Sequence, residues 1–155
     1  TKRFYMSDLR ELYQQVIIDH SRHPHNAGKL DNANRVQQGF NPLCGDKITV
    51  YLLEEEGIVK DIKFEACGCA ISVATASLMS DALRGKSIEQ IEKLFAHFHD
   101  LVMGKEQGDN KVLGKLFVLG GVAQYPMRVK CATLAWHAVT AALKNQEVLE
   151  SVTTE

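Results

Sequence analysis

No stretch of this chain runs to the roughly 18 consecutive apolar residues that a membrane-spanning helix needs. The N-terminus shows no apolar h-region of a secretory signal, so a soluble, cytoplasmic protein is expected. Charge of one sign is not blocked anywhere: lysines and arginines are scattered and the formal net charge is −1. That balance argues against a nucleic-acid groove or an anionic-membrane surface. There is no paired CxxC signature, no internal repeat and no linker-like stretch. Cysteine is sparse, with four residues at 44, 67, 69 and 131. In a reducing compartment these are fillers, metal ligands or nucleophiles rather than a disulfide framework.

What is present suits a globular domain with a real core. The chain has 155 residues, 45% of them hydrophobic, enough for one domain over residues 1–146 followed by a frayed tail at 147–155. Leu9, Leu12, Tyr13, Val16, Ile17 and His20 repeat with helical spacing. They predict an amphipathic helix opened by Ser7 or Asp8 and ending near Pro24. Residues 47–53 and 58–66 read as two strands joined by the polar turn Glu54–Gly57, with Ile58, Ile62, Phe64 and Ala66 on one face. A third strand is read around Arg35–Phe40. Small residues and helix formers predict a helix from Ile71 through Leu83. Ser87 and Gln90 form a capping box for a helix carrying Ile88 to Val102. Gly104 to Asn110 reads as a mobile loop, 114–119 as a short helix halted by Gly120-Gly121, and Pro126 as the first turn of a last helix. The order helix, small sheet, helices is α+β: a small antiparallel three-stranded sheet packed against a set of helices.

Three short segments concentrate the chemistry. Asn41-Pro42-Leu43-Cys44-Gly45-Asp46 is a turn before a strand, Cys67-Gly68-Cys69 joins a strand to a helix, and Lys130-Cys131 lies on the last helix. Gly45 gives the tight turn that lets Cys44 and Asp46 reach one ion. Cys69 precedes a helix N-terminus and Cys131 follows Arg128 and Lys130, settings that stabilise thiolates. Three thiolates and a carboxylate around a divalent cation carry a formal charge of −2, which Lys47, Arg128 and Lys130 would offset if close. Sulfur-rich coordination suits zinc or iron–sulfur iron; the hard carboxylate is the labile or tuning member. From spacing alone, simple burial of some of these thiols is the competing reading and the simpler one.

Asn-Pro-x-Cys-Gly-Asp, Phe-Glu-x-x-Gly-Cys-x-Ile-Ser-x-Ala and Arg-x-Lys-Cys-Ala-Thr-Leu-x-Trp, in that order, resemble the IscU/SufU family of NifU N-terminal-like iron–sulfur cluster assembly proteins. The likeness runs from Leu12 and Tyr13 to the last helix. Lys130 stands where the scaffold branch has a histidine, and the polar segment around Gly104–Leu113 is similar to the insertion of the SufU branch. The resemblance implies the SufE/NifU-like fold and metal ligands Cys44, Asp46, Cys69 and Cys131. It implies two modes of action. In one, a zinc-dependent sulfur acceptor takes persulfide sulfur through Cys44 from a PLP-dependent, SufS-like cysteine desulfurase, a sulfurtransferase-type relay rather than a stand-alone enzyme. In the other, a scaffold binds iron and builds a labile [2Fe–2S] cluster for transfer to apo-proteins. Cys67 is an extra thiol: incidental, or an assistant in sulfur relay.

Other candidates read more simply. His97 and His99 point to different helix faces and are packing or solvated residues. His20, His23 and His25 flank Pro24 at a helix end, where structural use is expected, although the resemblance places this stretch near a partner-binding surface. His137 packs or is exposed, Trp136 with Phe95 and Phe98 is core, and Glu54–Glu56 is a solvated turn.

Overall fold

The computed structural model describes residues 2–105, 112–144 and 152–153; for residues 2–9 and 152–153 the description is of the backbone. Helix α1 (Lys2–Arg22) leads through an irregular stretch into strands β1 (Arg35–Asn41), β2 (Asp46–Glu55) and β3 (Ile58–Cys67). Helices α2 (Ala70–Leu83) and α3 (Ile88–Val102), a 3-10 helix (Gly114–Gln124) and α4 (Pro126–Lys144) follow. The three strands form an antiparallel meander, and the two-residue strand β4 (Val152–Thr153) pairs parallel to the free edge of β1. The expected α+β architecture is the observed one. No helix among the described residues is long and apolar enough to cross a membrane.

One face of the sheet is covered. Ile48, Val50 and Leu52 of β2 alternate inward with Val59, Ile62 and Phe64 of β3, the period-two pattern of a half-buried sheet. Helix α4 lies across β1 and β2, beside α2. Both helices are buried nearly all round, α4 through Cys131 to Ala142 and α2 through Ser72 to Leu83. That explains their run of small residues: a central helix has no solvent face to mark with charge. Phe95 and Phe98 of α3 stack on Trp136 with ring centroids 5.5 and 5.1 Å apart, so the aromatic trio is core. The capping box of α3 forms as read, Ser87 Oγ accepting from the Gln90 N–H and Gln90 Oε1 from the Ser87 N–H.

Several expectations are corrected. Helix α1 begins at Lys2, not at Ser7 or Asp8, because the preceding residues carry no glycine or proline to stop it. On β3 it is Val59, not Ile58, that is buried with Ile62 and Phe64. A register shift at Leu53/Glu54 inserts one extra residue there, and a bulge flips the parity of everything beyond it. The glycine pair does not halt the 3-10 helix, which continues to Gln124. The two glycines serve close approach instead: a Cβ on Gly120 would lie 2.9 Å from Leu101, and one on Gly121 would lie 2.9 Å from the Tyr13 ring. Glu54 is not a solvated turn residue. Its carboxylate pairs with Arg35 at 3.2 Å and accepts the Gly57 N–H, while Glu55 and Glu56 are exposed. Residues 106–110 of the expected loop lie outside the described residues, as does most of the tail expected to be frayed.

Candidate metal centre

The strand register brings the chemistry to one end of the sheet. Asn41 and Asp46 are partners across β1 and β2 and close the turn 42–45, with Gly45 at φ +69°. Lys47 is the partner of Cys67, so β3 ends beside the start of β2. Gly68, at φ +130°, then turns the chain back over Asp46 so closely that a Cβ there would sit 2.7 Å from the Asp46 Cα. Only glycine meets both demands. Cys69 follows as the N-cap residue of α2, and Cys131 approaches from the second turn of α4.

Three of the four predicted residues meet, and the fourth, Cys69, lies beside them. One ligand atom each from Cys44, Asp46 and Cys131 lie within 4.8 Å of one another. The Cys44 and Cys131 sulfurs are 3.1 Å apart. Cys69 does not join that set at the same limit. Its sulfur is nonetheless 3.8 Å from Asp46 Oδ2, and its N–H donates to Asp46 Oδ1 at 2.7 Å. Cys69 thus sits at the margin of a tighter group of three donors. Asp46 and Cys131 are fully buried, whereas Cys44 and Cys69 are half-buried.

The cluster carries a shared, unresolved charge. Cys69 is pulled down to about 6, first by the hydrogen bond from Cys131 and then by backbone N–H groups of Ser72 and Ile71, against the opposing effect of burial. These N–H groups belong to the first turn of α2, where unpaired donors favour an anion. Cys131 is pushed far up by the same hydrogen bond and by burial. Protein alone therefore favours the charged form at Cys69 and the neutral thiol at Cys131. A divalent cation resolves this, and three soft sulfurs with one oxygen suit zinc or iron.

Of the three cations expected nearby, Arg128 is the one that meets a thiol: its guanidinium reaches Cys44 Sγ at 3.7 Å. Lys47 instead sits over the Phe40 ring, and Lys130 is half-buried on α4. Cys67 is exposed, on the β3 face opposite Phe64, and takes no part in the cluster. Four of the six histidines make packing or pairing contacts. His20 Nδ1 lies 2.6 Å from Ser77 Oγ and His25 Nδ1 2.5 Å from Asp81, tying the end of α1 to α2. His99 and His137 both pack edge-on against Phe95. Asn41 has a role that its place in the Asn-Pro-x-Cys-Gly-Asp motif does not announce. Its buried carboxamide donates to Asp46 Oδ2 at 3.2 Å and to Cys131 Sγ at 3.5 Å. Asparagine at the closing position of a ligand-bearing turn was the available signal.

The profile of the NifU-like N terminal domain matches residues 12–132. The chain belongs to this family, that of the IscU and SufU proteins. It is 42% identical to the iron-sulfur cluster assembly scaffold protein IscU of Streptococcus pyogenes serotype M1, over 96% of this chain and 92% of that protein. It is 41% identical to the zinc-dependent sulfurtransferase SufU of Bacillus subtilis strain 168, over 92% and 97%. The crystal structure of FiSufU from the thermophile Fervidobacterium islandicum AW-1 superposes with a TM-score of 0.80 at 37% identity, covering 86% of this chain and 97% of that one. The SufU branch of the family is thus represented in both sequence and fold.

Proposed function

We propose that this chain serves iron–sulfur cluster assembly as a zinc-holding sulfur acceptor. Cys44, Asp46, Cys69 and Cys131 hold the metal, and Cys44 takes sulfur from a PLP-dependent cysteine desulfurase. The observation that carries this reading is the asymmetry of one tight sulfur pair. Cys44 and Cys131 lie 3.1 Å apart, yet Cys131 is fully buried in α4 while Cys44 is half-exposed on a turn. A partner's persulfide can reach only the second. Zinc, when bound, would keep the thiols deprotonated near neutral pH.

The transfer is an exchange at sulfur. The Cys44 thiolate attacks the terminal sulfur of the donor persulfide, the donor's S–S bond breaks, and the donor thiolate leaves with that bond's electron pair. Cys44 is left as a persulfide with no net oxidation or reduction. Arg128, at 3.7 Å from Cys44 Sγ, places a positive charge where the incoming and outgoing sulfurs carry negative charge. Leu43 and Met127, both exposed, flank Cys44 and Arg128 in sequence and give the partner apolar surface next to the thiol.

The relative named as a zinc-dependent sulfurtransferase supports this mode. The relative named as a scaffold, of equal similarity, supports the second reading, a labile [2Fe–2S] cluster held by the same donors and passed to apo-proteins. A desulfurase assay with metal analysis separates them. The relay predicts one zinc per chain and partner turnover that rises on adding this protein and does not rise with Cys44→Ala. An oxygen-sensitive visible spectrum after anaerobic reconstitution, with no stimulation of the desulfurase, would overturn it.

A further inference from the structure

Asn41 is the last residue of β1, fully buried, and in register with Asp46. Both ends of its carboxamide are engaged. Oδ1 accepts the Leu43 N–H at 3.3 Å, which fixes the oxygen toward the turn. The nitrogen therefore faces the donors, with its two hydrogens directed at Asp46 Oδ2, 3.2 Å away, and Cys131 Sγ, 3.5 Å away. A carboxamide that bridges two donors on different elements, from a site closed to water, does more than fill space.

The four donors are secured unequally. Asp46 is held by the Cys69 N–H and by Asn41. Cys69 is held at the N-cap of α2, its backbone N–H on Asp46 Oδ1 and its sulfur 3.8 Å from Asp46 Oδ2. Cys131 is held by Asn41 and by burial within α4. Among the described residues, the Cys44 sulfur hydrogen-bonds Cys131 and the exposed guanidinium of Arg128. We infer that Asn41 is a positioning residue that locks Asp46 and Cys131 together as a fixed pair, so that Cys44 is the donor free to leave. The metal is then retained on three donors while Cys44 reacts. This inference rests on the metal-centre reading above and deepens it.

Asn41→Leu keeps the side-chain volume and removes both donated hydrogen bonds. The test measures binding of Zn²⁺ by competition with a chromogenic chelator, and of Co²⁺ by its sulfur-to-metal charge-transfer band. Partners of this kind set metal affinity by about 10–100-fold, so N41L is expected to bind both ions 10–100-fold more weakly. Its charge-transfer band should move to lower energy, because a thiolate relieved of a hydrogen bond gives up its electron more easily. A merely structural asparagine would leave the band in place. Cys44→Ser tests the three-donor remnant directly: it should keep one zinc per chain after gel filtration, and the C44S/N41L double variant should not. Equal affinity and an unmoved band in N41L, or equal zinc retention with and without N41L in the C44S background, would overturn the inference while leaving the metal centre standing. Failure of the unsubstituted protein to bind Co²⁺ would overturn the metal centre itself. Circular dichroism of metal-free N41L checks folding; if leucine is not tolerated, Asn41→Ala is read by the same measurements.

Discussion

Gly68 crosses Asp46 with no room for a side chain: a Cβ would fall 2.7 Å from the Asp46 Cα, at a backbone φ of +130°. This crossing is what delivers the Cys69 N–H to the Asp46 carboxylate at 2.7 Å. Gly68→Ala therefore strains the backbone and displaces the carboxylate together. We expect metal-free G68A to lose about 2–3 kcal/mol in urea unfolding, in line with strain of this kind, and to lose zinc affinity as well. Unfolding coincident with the unsubstituted protein would contradict the contact.

Asp46→Ala acts differently. It leaves the Cys69 N–H and one Asn41 hydrogen without partners in a buried site, which costs about 1–3 kcal/mol. That is less than the stability of a typical domain, about 5–15 kcal/mol. D46A should thus retain its circular-dichroism spectrum and lose zinc faster to a chelator. Collapse of the spectrum would show the carboxylate to be structural first.

Cys67 is exposed and directed away from the cluster. Cys67→Ser should leave zinc stoichiometry and desulfurase stimulation within about twofold of the parent, since surface substitutions away from special features change little. A severalfold loss of stimulation would restore the relay role that the sequence left open for this thiol.

The grouping of Cys44, Asp46 and Cys131 was legible in part, through Gly45 in the turn beside the first two and the helical stretch around the third, whereas the full ligand set came only from the family resemblance. The strands and the Ser87–Gln90 cap were legible through local periodicity and side-chain chemistry. What escaped depends on distant partners. The bulge opposite Leu53/Glu54 moved Val59 inward, and no count along the chain announces a bulge. Gly120-Gly121 looked like a stop, but Leu101 and Tyr13 press on it from two other helices. Asn41 became meaningful only once Cys131, ninety residues away, came to rest against it.

His137 is held below its ordinary range, first by burial and then by the neighbouring His99. The folded state thus favours the neutral ring. Its stabilising effect is complete above the unfolded value of about 6.5 and is lost as pH falls through the folded value. His20 shifts the same way, by burial and by His25. The melting temperature of the metal-free protein should therefore drop between pH 7.5 and 5, and His137→Phe should drop less over that range. Equal drops in the two proteins would assign the acid sensitivity elsewhere.

The account stands on four donors sharing one ion, and X-ray absorption at the zinc edge reads that shell directly. Zinc-loaded protein should show three sulfurs near about 2.3 Å and one oxygen near about 2.0 Å, with the sulfur count falling to two in Cys44→Ser. A shell of nitrogen and oxygen alone, or a sulfur count unchanged by that substitution, would contradict it.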